Sequence, residues 1–236
     1  MKNLKIVALI PARSGSTGLA KKNIKKLHGK PLIQYSIDAA KNCPEISDVF
    51  LSSDSDEYLE LAQALGAKTV KRPDNLSTND TSMQLVVKHF IESMHLKGID
   101  FDAVNVLFPV YPTRTSEDLS EFINHFSAQV YPNTLIGLKT PYTHPYLCYE
   151  RTEEGNISSV LDFDGNSFYR RQDYPEHYEI THWSCVIPID QIDNINSLLI
   201  NKNSIGYRIP NGKNIVNIDT IMDFKFAEFL LNETLK

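Results

Sequence analysis

The stretch Ile6–Asn23, IVALIPARSGSTGLAKKN, begins as an apolar run from Ile6 to Ile10 that Pro11 ends. A loop of small residues follows, with Ser14, Gly15, Ser16, Thr17 and Gly18, and it finishes in Lys21, Lys22 and Asn23. An apolar run bounded by Pro and Gly reads as a buried strand. A small-residue loop after such a strand brings backbone N–H groups close to an anion. Arg13 and the lysines supply the positive charge that phosphates require. The stretch therefore reads as a triphosphate cradle at the carboxyl end of a first strand. It reads equally, on glycine count alone, as a flexible surface loop with solvated lysines. The spacing matches neither G-x-G-x-x-G nor G-x-x-x-x-G-K-[ST].

The chain beyond it alternates. Pro31–Lys41 reads as a helix with Ile33, Ile37 and Ala40 at helical spacing, and Val49–Ser52 as a second strand. Ser53-Asp54-Ser55-Asp56 supplies helix-capping chemistry for a helix over about 57–65 that ends at Gly66. A short strand at Ala67–Lys71 precedes a polar loop, and Thr81 opens a helix with a stripe of Met83, Val86, Val87, Phe90, Ile91 and Met94. Phe101–Phe108 is apolar enough for a central strand. A helix from Thr115 to about Ala128 and a strand at Thr134–Lys139 follow. This order predicts an α/β three-layer sandwich with a mostly parallel, Rossmann-like sheet, whose ligands bind outside the carboxyl ends of the strands.

The rhythm breaks at about 141–182, a segment rich in Tyr, Pro and His with turns at Glu154-Gly155-Asn156 and Asp164-Gly165-Asn166. Long irregular segments in compact domains are usually functional or form interfaces. The clustered tyrosines favour a protruding dimerisation arm. Beyond it the pattern predicts a strand at Trp183–Ile189, a helix over about 190–199, strands at Ser204–Ile209 and Asn214–Asn217, and a final helix capped by Thr220-x-x-Asp223. In that helix Ile221, Phe224, Ala227 and Leu231 are expected to face inward. No linker or repeat divides the chain, so residues 1–236 read as one domain.

Composition narrows the function. The chain has 236 residues, 42% hydrophobic and 22% charged, with a net charge of −5. An acidic chain is a poor general nucleic-acid binder. Its basic residues instead cluster at Arg13, Lys21, Lys22, Lys25, Lys26 and Lys30, which suits a small polyanion such as a nucleotide. Cys43, Cys148 and Cys185 are odd in number, widely spaced and without C-x-x-C, and read as free buried thiols of a reducing compartment. No run approaches the roughly 20 apolar residues of a membrane span, and the N-terminal apolar run is too short for a signal peptide. A cytoplasmic protein without membrane partners is expected.

Pro11-Ala12-Arg13-Ser14-Gly15-Ser16-Thr17-Gly18 followed by Lys22-Asn23 resembles the opening signature of the CMP-sialic acid synthetases, the acylneuraminate cytidylyltransferases. Thr17 stands where that family usually has Lys, and is what the related CMP-Kdo synthetases show. Further motifs extend the resemblance from Ile6 to Phe229. Asn217-Ile218-Asp219-Thr220 is similar to the family's D-x-D-T, with Asn for the first Asp. Two oxygen donors at i and i+2 on an extended segment point to one side and can share a hard cation. The same residues also serve simply as an N-cap cluster. Arg72-Pro73 with Leu76 and Asn79-Asp80-Thr81-Ser82 resembles R-P-x-x-L-x-x-D. A helix N-cap at Thr81 and a solvated Arg72 are the plainer reading. Phe108-Pro109-Val110-Tyr111-Pro112-Thr113-Arg114-Thr115 aligns with Q-P-T-S-P-L-R-T, with the polar Gln, Thr and Ser replaced by Phe108, Val110 and Tyr111. Tyr169-Arg170-Arg171-Gln172-Asp173 resembles R-R-Q-D, where an Arg suits a sugar carboxylate or a hairpin salt bridge.

The resemblance implies a CTP-dependent cytidylyltransferase that makes a CMP-sugar and pyrophosphate from a sialic-acid-like 2-keto-3-deoxy sugar acid. It implies Arg13, Lys22 and Asp219 as catalytic residues. Ala12, Arg13, Ser14, Gly15, Ser16, Lys22, Asn23, Arg72, Thr81 and Ser82 would lie around the nucleotide. Phe108, Tyr111, Arg171 and Gln172 would lie on the acceptor side, and Asp219 with Asn217 would hold Mg²⁺. A homodimer is implied as well. Kdo, pseudaminic or legionaminic acid as acceptor remains an alternative, as does a nucleotide-binding homologue without turnover.

Overall fold

A computed structural model describes residues 4–15, 18–130 and 132–234. Its core is a seven-stranded sheet. The strands are β1 (Ile6–Pro11), β2 (Ile46–Ser53), β3 (Lys68–Lys71), β4 (Ala103–Val106), β5 (Leu135–Lys139), β6 (Glu179–Pro188) and β7 (Ile205–Arg208). Across the sheet they lie in the order β7-β5-β6-β4-β1-β2-β3. Strand β1 pairs in parallel with both β2 and β4, and β5 with β7, while β6 runs antiparallel to β4 and β5. The mostly parallel sheet is therefore present, with β6 as the reversed strand. The reversal has a simple cause: the chain leaves β5 at its carboxyl end, makes the excursion at about 141–178, and re-enters the sheet from that same end.

Among the described residues, five α-helices cover the sheet: α1 (Leu32–Lys41), α2 (Asp56–Ala64), α3 (Met83–His95), α4 (Ser116–Ser127) and α5 (Ile221–Thr234). Alternation along β1 divides the core into two layers. Ile6, Ala8 and Ile10 join Ile33 and Ile37 of α1, Tyr58 of α2 and Phe122 of α4 in one cluster. Val7 and Leu9 face the other way, towards Val87 and Phe90 of α3. Phe90 is packed between Phe50, at 5.2 Å edge-on, and Phe101, at 5.7 Å stacked. Each such pair contributes about 1 kcal/mol beyond its buried area. A third cluster, of Leu27, Leu32, Val216, Ile218, Phe224 and Ala227, docks α5 against the N-terminal quarter of the chain.

Several expectations are corrected. The segment over 190–199 is not an α-helix; beyond a single 3-10 turn at Ile189–Gln191 it is a series of turns. The Asn196 side-chain oxygen accepts from the backbone N–H groups of Leu198 (2.9 Å) and Ile200 (3.3 Å), and Leu199 adopts φ 61°. Asn and Asp compete in this way with helical backbone bonds. The apolar residues Ile192, Ile195 and Leu199 are buried nonetheless, on the α3 side of the sheet. Asn214–Asn217 forms no strand, because its neighbour is a loop: Ile218 donates to the Val110 carbonyl at 3.0 Å. In α5, Phe224 and Ala227 are buried and Leu231 is half-buried, but Ile221 is exposed at the helix start. Thr220 and Asp223 cap that helix reciprocally, with Asp223 N–H to Thr220 Oγ1 at 3.2 Å and Thr220 N–H to Asp223 Oδ2 at 2.7 Å. Cys43 and Cys185 are buried free thiols, whereas Cys148 is exposed, because it lies in the excursion.

That excursion holds a hairpin, Tyr149–Arg151 with Ile157–Ser159, turned at Gly155 with φ 94°. The turn at Asp164-Gly165-Asn166 joins no strands; Asp164 Oδ1 accepts from the Asn166 N–H at 2.9 Å, a local side-chain turn. Tyr146 and Phe163 stack with ring planes 2° apart. Tyr142, Leu147, Tyr149, Ile157, Val160 and Tyr169 remain exposed.

Candidate active site

Strand β1 is the point where the sheet's order reverses, so the crevice beyond its carboxyl end is flanked by the ends of β2, β3 and β4. A cleft of about 410 Å³ lies there, lined by Pro11, Arg13, Gly18, Lys22, Asn23, Arg72, Met83, Phe108, Pro109, Val110 and Asp219. Four separate stretches of sequence thus converge: the glycine-rich loop, the segment after β3, the segment after β4, and the approach to α5.

The loop is fixed from below by β2. Ala12, fully buried, donates its N–H to the Ser52 carbonyl at 2.9 Å. Ser14 gives both its N–H and its hydroxyl to the Asp54 carboxylate, at 2.8 and 2.5 Å. Asn23, also buried, donates to the Arg13 carbonyl at 3.0 Å, which closes the loop on itself. The Arg13 guanidinium reaches Asn79 Oδ1 at 2.6 Å. Gly15 has open space where a Cβ would stand. Ser16 and Thr17 lie outside the described residues.

Two arginines are buried behind the cleft. Arg72 donates through Nε to the Ser52 hydroxyl at 3.2 Å and through Nη2 to the Ser52 carbonyl at 2.7 Å. Burial pushes its pKa down to about 10, against the pull of Asp54. Arg114 holds the Trp183 carbonyl and the Ser36 hydroxyl, and burial pushes it down to about 9. Arg72 is thus an anchored cation on the cleft wall rather than a solvated side chain. Asp54 experiences opposing effects. Its burial favours the neutral acid, but the two Ser14 hydrogen bonds and the charge of Arg72 outweigh it and hold the carboxyl below its ordinary value.

On the opposite wall, Lys22 Nζ donates to Asp219 Oδ1 at 2.9 Å and to the Ile218 carbonyl at 2.8 Å. Asn217 Nδ2 donates to Asp219 Oδ2 at 2.7 Å, so the i, i+2 pair does lie together on one side. A Cβ on Gly18 would stand 2.6 Å from the Asp219 carbonyl oxygen, so only glycine lets the loop approach the α5 entry this closely.

The remaining residues read from sequence lie elsewhere. Ser82, not Thr81, is the N-cap of α3, and makes no side-chain capping bond. The Thr81 hydroxyl instead meets that of Thr78 at 2.8 Å. Tyr111 is buried, with its hydroxyl accepting from Thr181 at 3.3 Å. Arg171 and Gln172 sit in a 3-10 turn of the excursion. Arg171 donates to the Tyr142 carbonyl at 2.8 Å, while Arg170 pairs with Asp173 at 3.1 Å. Thr81, Ser82, Tyr111, Arg171 and Gln172 do not line the cleft. Asp54 escaped the sequence reading because Ser53-Asp54-Ser55-Asp56 looks like capping chemistry. In fact Ser55 is the N-cap of α2 and makes no capping bond with its side chain, which leaves Asp54 to the loop.

Residues 7–99 match the family model described as cytidylyltransferase. The pseudaminic acid cytidylyltransferase of Campylobacter jejuni (serotype O:2) is 31% identical over 233 residues, 98% of this chain and 96% of that protein. The N-acylneuraminate cytidylyltransferase of Escherichia coli O18:K1:H7 is 28% identical over 94% of this chain, which spans 51% of that protein. The chain thus spans about half the length, or less, of such N-acylneuraminate relatives. A solved structure of CMP:2-keto-3-deoxy-manno-octonic acid synthetase complexed with CTP matches with a TM-score of 0.71 at 15% identity, over 98% of this chain and 99% of that one. At that identity the likeness is one of fold.

Proposed function

The chain belongs to the acylneuraminate cytidylyltransferase family, and from that premise we propose that it activates a 2-keto-3-deoxy sugar acid with CTP. The observation that carries the reading is the convergence of Arg13, Lys22, Arg72 and Asp219 on one cleft at the switch point of the sheet. The sugar's anomeric hydroxyl oxygen bonds to the α-phosphorus of CTP, the bond from that phosphorus to the β-phosphate bridging oxygen breaks, and pyrophosphate leaves. The hydroxyl proton passes to solvent, since among the described residues lining the cleft no side chain is placed as a general base. Catalysis is then positioning and charge stabilisation. Arg13 and Lys22 hold the phosphates, Ala12, Ser14, Gly15 and Asn23 shape their loop, and the side of the cleft at Arg72, next to Thr81 and Ser82, receives the nucleoside.

The donors at the α5 entry fit Mg²⁺, which takes one or two protein oxygens and completes its shell with water and phosphate. Asp219 offers a carboxylate whose side chain is 62% exposed, and Asn217 offers an amide oxygen once its amide turns. When bound, the ion would neutralise charge on the phosphates. Lys22, which occupies Asp219 Oδ1 in the free site, must release it to reach a triphosphate.

Phe108 and Val110 give the cleft an apolar wall, which favours an acceptor less hydroxylated at that position than sialic acid. Arg171 and Gln172 would serve the acceptor from the excursion. Tyr142, Ile157, Val160 and Tyr169, all exposed there, support its use as the arm of a homodimer. The free thiols of Cys43, Cys148 and Cys185 support a cytoplasmic setting.

Pyrophosphate release with Mg²⁺, compared across CTP, UTP, ATP and GTP and a panel of sialic, Kdo, pseudaminic and legionaminic acids, tests this directly. CTP-specific release with one acceptor is expected. CTP binding without release from any acceptor would support a homologue without turnover, and absence of CTP binding would overturn the reading. Gly18→Ala is expected to lower turnover by about 10-fold or more while leaving the melting temperature within a few degrees, because the added methyl meets backbone that must shift. Unchanged kcat/KM in that variant would show that the loop does not need its close approach to Asp219.

A further inference from the structure

Three stretches of chain are tied together by the last residues of β2. The Ser52 carbonyl accepts from both Ala12 and Arg72, the Ser53 carbonyl accepts from the Arg72 N–H at 2.8 Å, and Asp54 accepts twice from Ser14. Asp54, just after the end of β2, is the one acidic member of this hub. It sits where an acid is least expected, beneath a loop read as an anion cradle and close to Arg72, which itself lies near Arg13. As a mere charge it would repel a triphosphate. Its hydrogen bonds do something else: they fix the backbone and the side chain of the residue that follows Arg13. Because the Ser14 N–H is directed at Asp54, it is the root of the loop rather than one of its phosphate donors.

We propose that Asp54 is a positioning residue, which clamps Ser14 so that Arg13 on one side of it and the Gly15 backbone on the other meet the triphosphate in one geometry. This rests on the CTP reading above. The sign of one measurement separates the two roles. Removing a carboxylate that acted through charge alone tightens the binding of a polyanion, whereas removing a clamp weakens it. A clamp on the phosphate loop also matters more for CTP than for CMP, which shares the nucleoside and lacks the β- and γ-phosphates.

The test is calorimetric titration of the full chain with CTP and with CMP, for the wild type, Asp54→Asn and Asp54→Ala, with thermal melts alongside. For Asp54→Ala, CTP affinity is expected to fall by about 10-fold or more while CMP affinity stays within about twofold. Asp54→Asn, isosteric and still able to accept one of the two Ser14 bonds, is expected to fall between alanine and wild type. It keeps the test decisive if the alanine variant does not fold. Tighter CTP binding in either variant, or a parallel loss for CTP and CMP, would overturn the clamp while leaving the proposed activity intact. A wild type that binds no CTP would overturn both.

Discussion

Asp219→Ala is expected to lower Mg²⁺-dependent pyrophosphate release by about 10²- to 10³-fold, the range found when a preorganised charge-stabilising group is removed. The carboxylate is held in place for this from both sides, by Lys22 at 2.9 Å and Asn217 at 2.7 Å, and its backbone is pressed against Gly18. The alanine variant also frees Lys22 from its partner. Binding of CTP in the absence of Mg²⁺ is therefore expected to stay near the wild-type value or rise, so the loss falls on kcat. Asn217→Asp is the complementary change: a second carboxylate two residues away is expected to raise Mg²⁺ affinity, readable by titration of the nucleotide-free protein. Full Mg²⁺-dependent turnover in Asp219→Ala would remove this residue from the reaction.

Phe122→Ala is expected to cost about 3–5 kcal/mol of stability, equivalent to a fall in melting temperature of about 6–20 °C for a chain of this size. Phe122 of α4 is fully buried, with its ring edge-on to Trp183 of β6 at 6.0 Å and to Tyr207 of β7 at 5.2 Å. Removing it opens a cavity between α4 and the half of the sheet that includes the reversed strand. Phe122→Leu, which keeps much of the volume, is expected to cost less. CTP affinity measured well below the melting point should be unchanged in both, since the cleft draws nothing from α4. A melting temperature within about 2 °C of wild type would show that the neighbouring side chains close the space.

These expectations rest on different depths of legibility. The alternation that ends in β5 was readable because buried parallel strands are short apolar runs and the helices between them carry a 3.6-residue stripe. The helix expected over 190–199 failed because periodicity alone cannot weigh local competition. Ile192, Ile195 and Leu199 are spaced for a helix, but Asn196 offers the backbone a turn, and the turn prevails. Reversal of β6 was not legible, since direction depends on which end of the sheet an irregular segment returns to. Among the residues that line the cleft, Arg13, Lys22, Asn23 and Asp219 stand in motifs that the sequence marks. Asp54 was not legible, because an acid two residues before a helix has an obvious local explanation, and only the contact with Ser14, 40 residues away, displaces it.

The excursion between β5 and β6 is spliced into the sheet as a cassette. Among the described residues the cleft draws on Pro11, Arg13, Gly18, Lys22, Asn23, Arg72, Met83, Phe108, Pro109, Val110 and Asp219, all outside 141–178. Lengthening, shortening or exchanging the cassette leaves the strand ends that build the cleft on the same scaffold, provided β5 and β6 keep their register. The crevice thus takes its shape from the strand ends and the approach to α5, and a change of length confined to 141–178 leaves the spacing of its lining side chains in place.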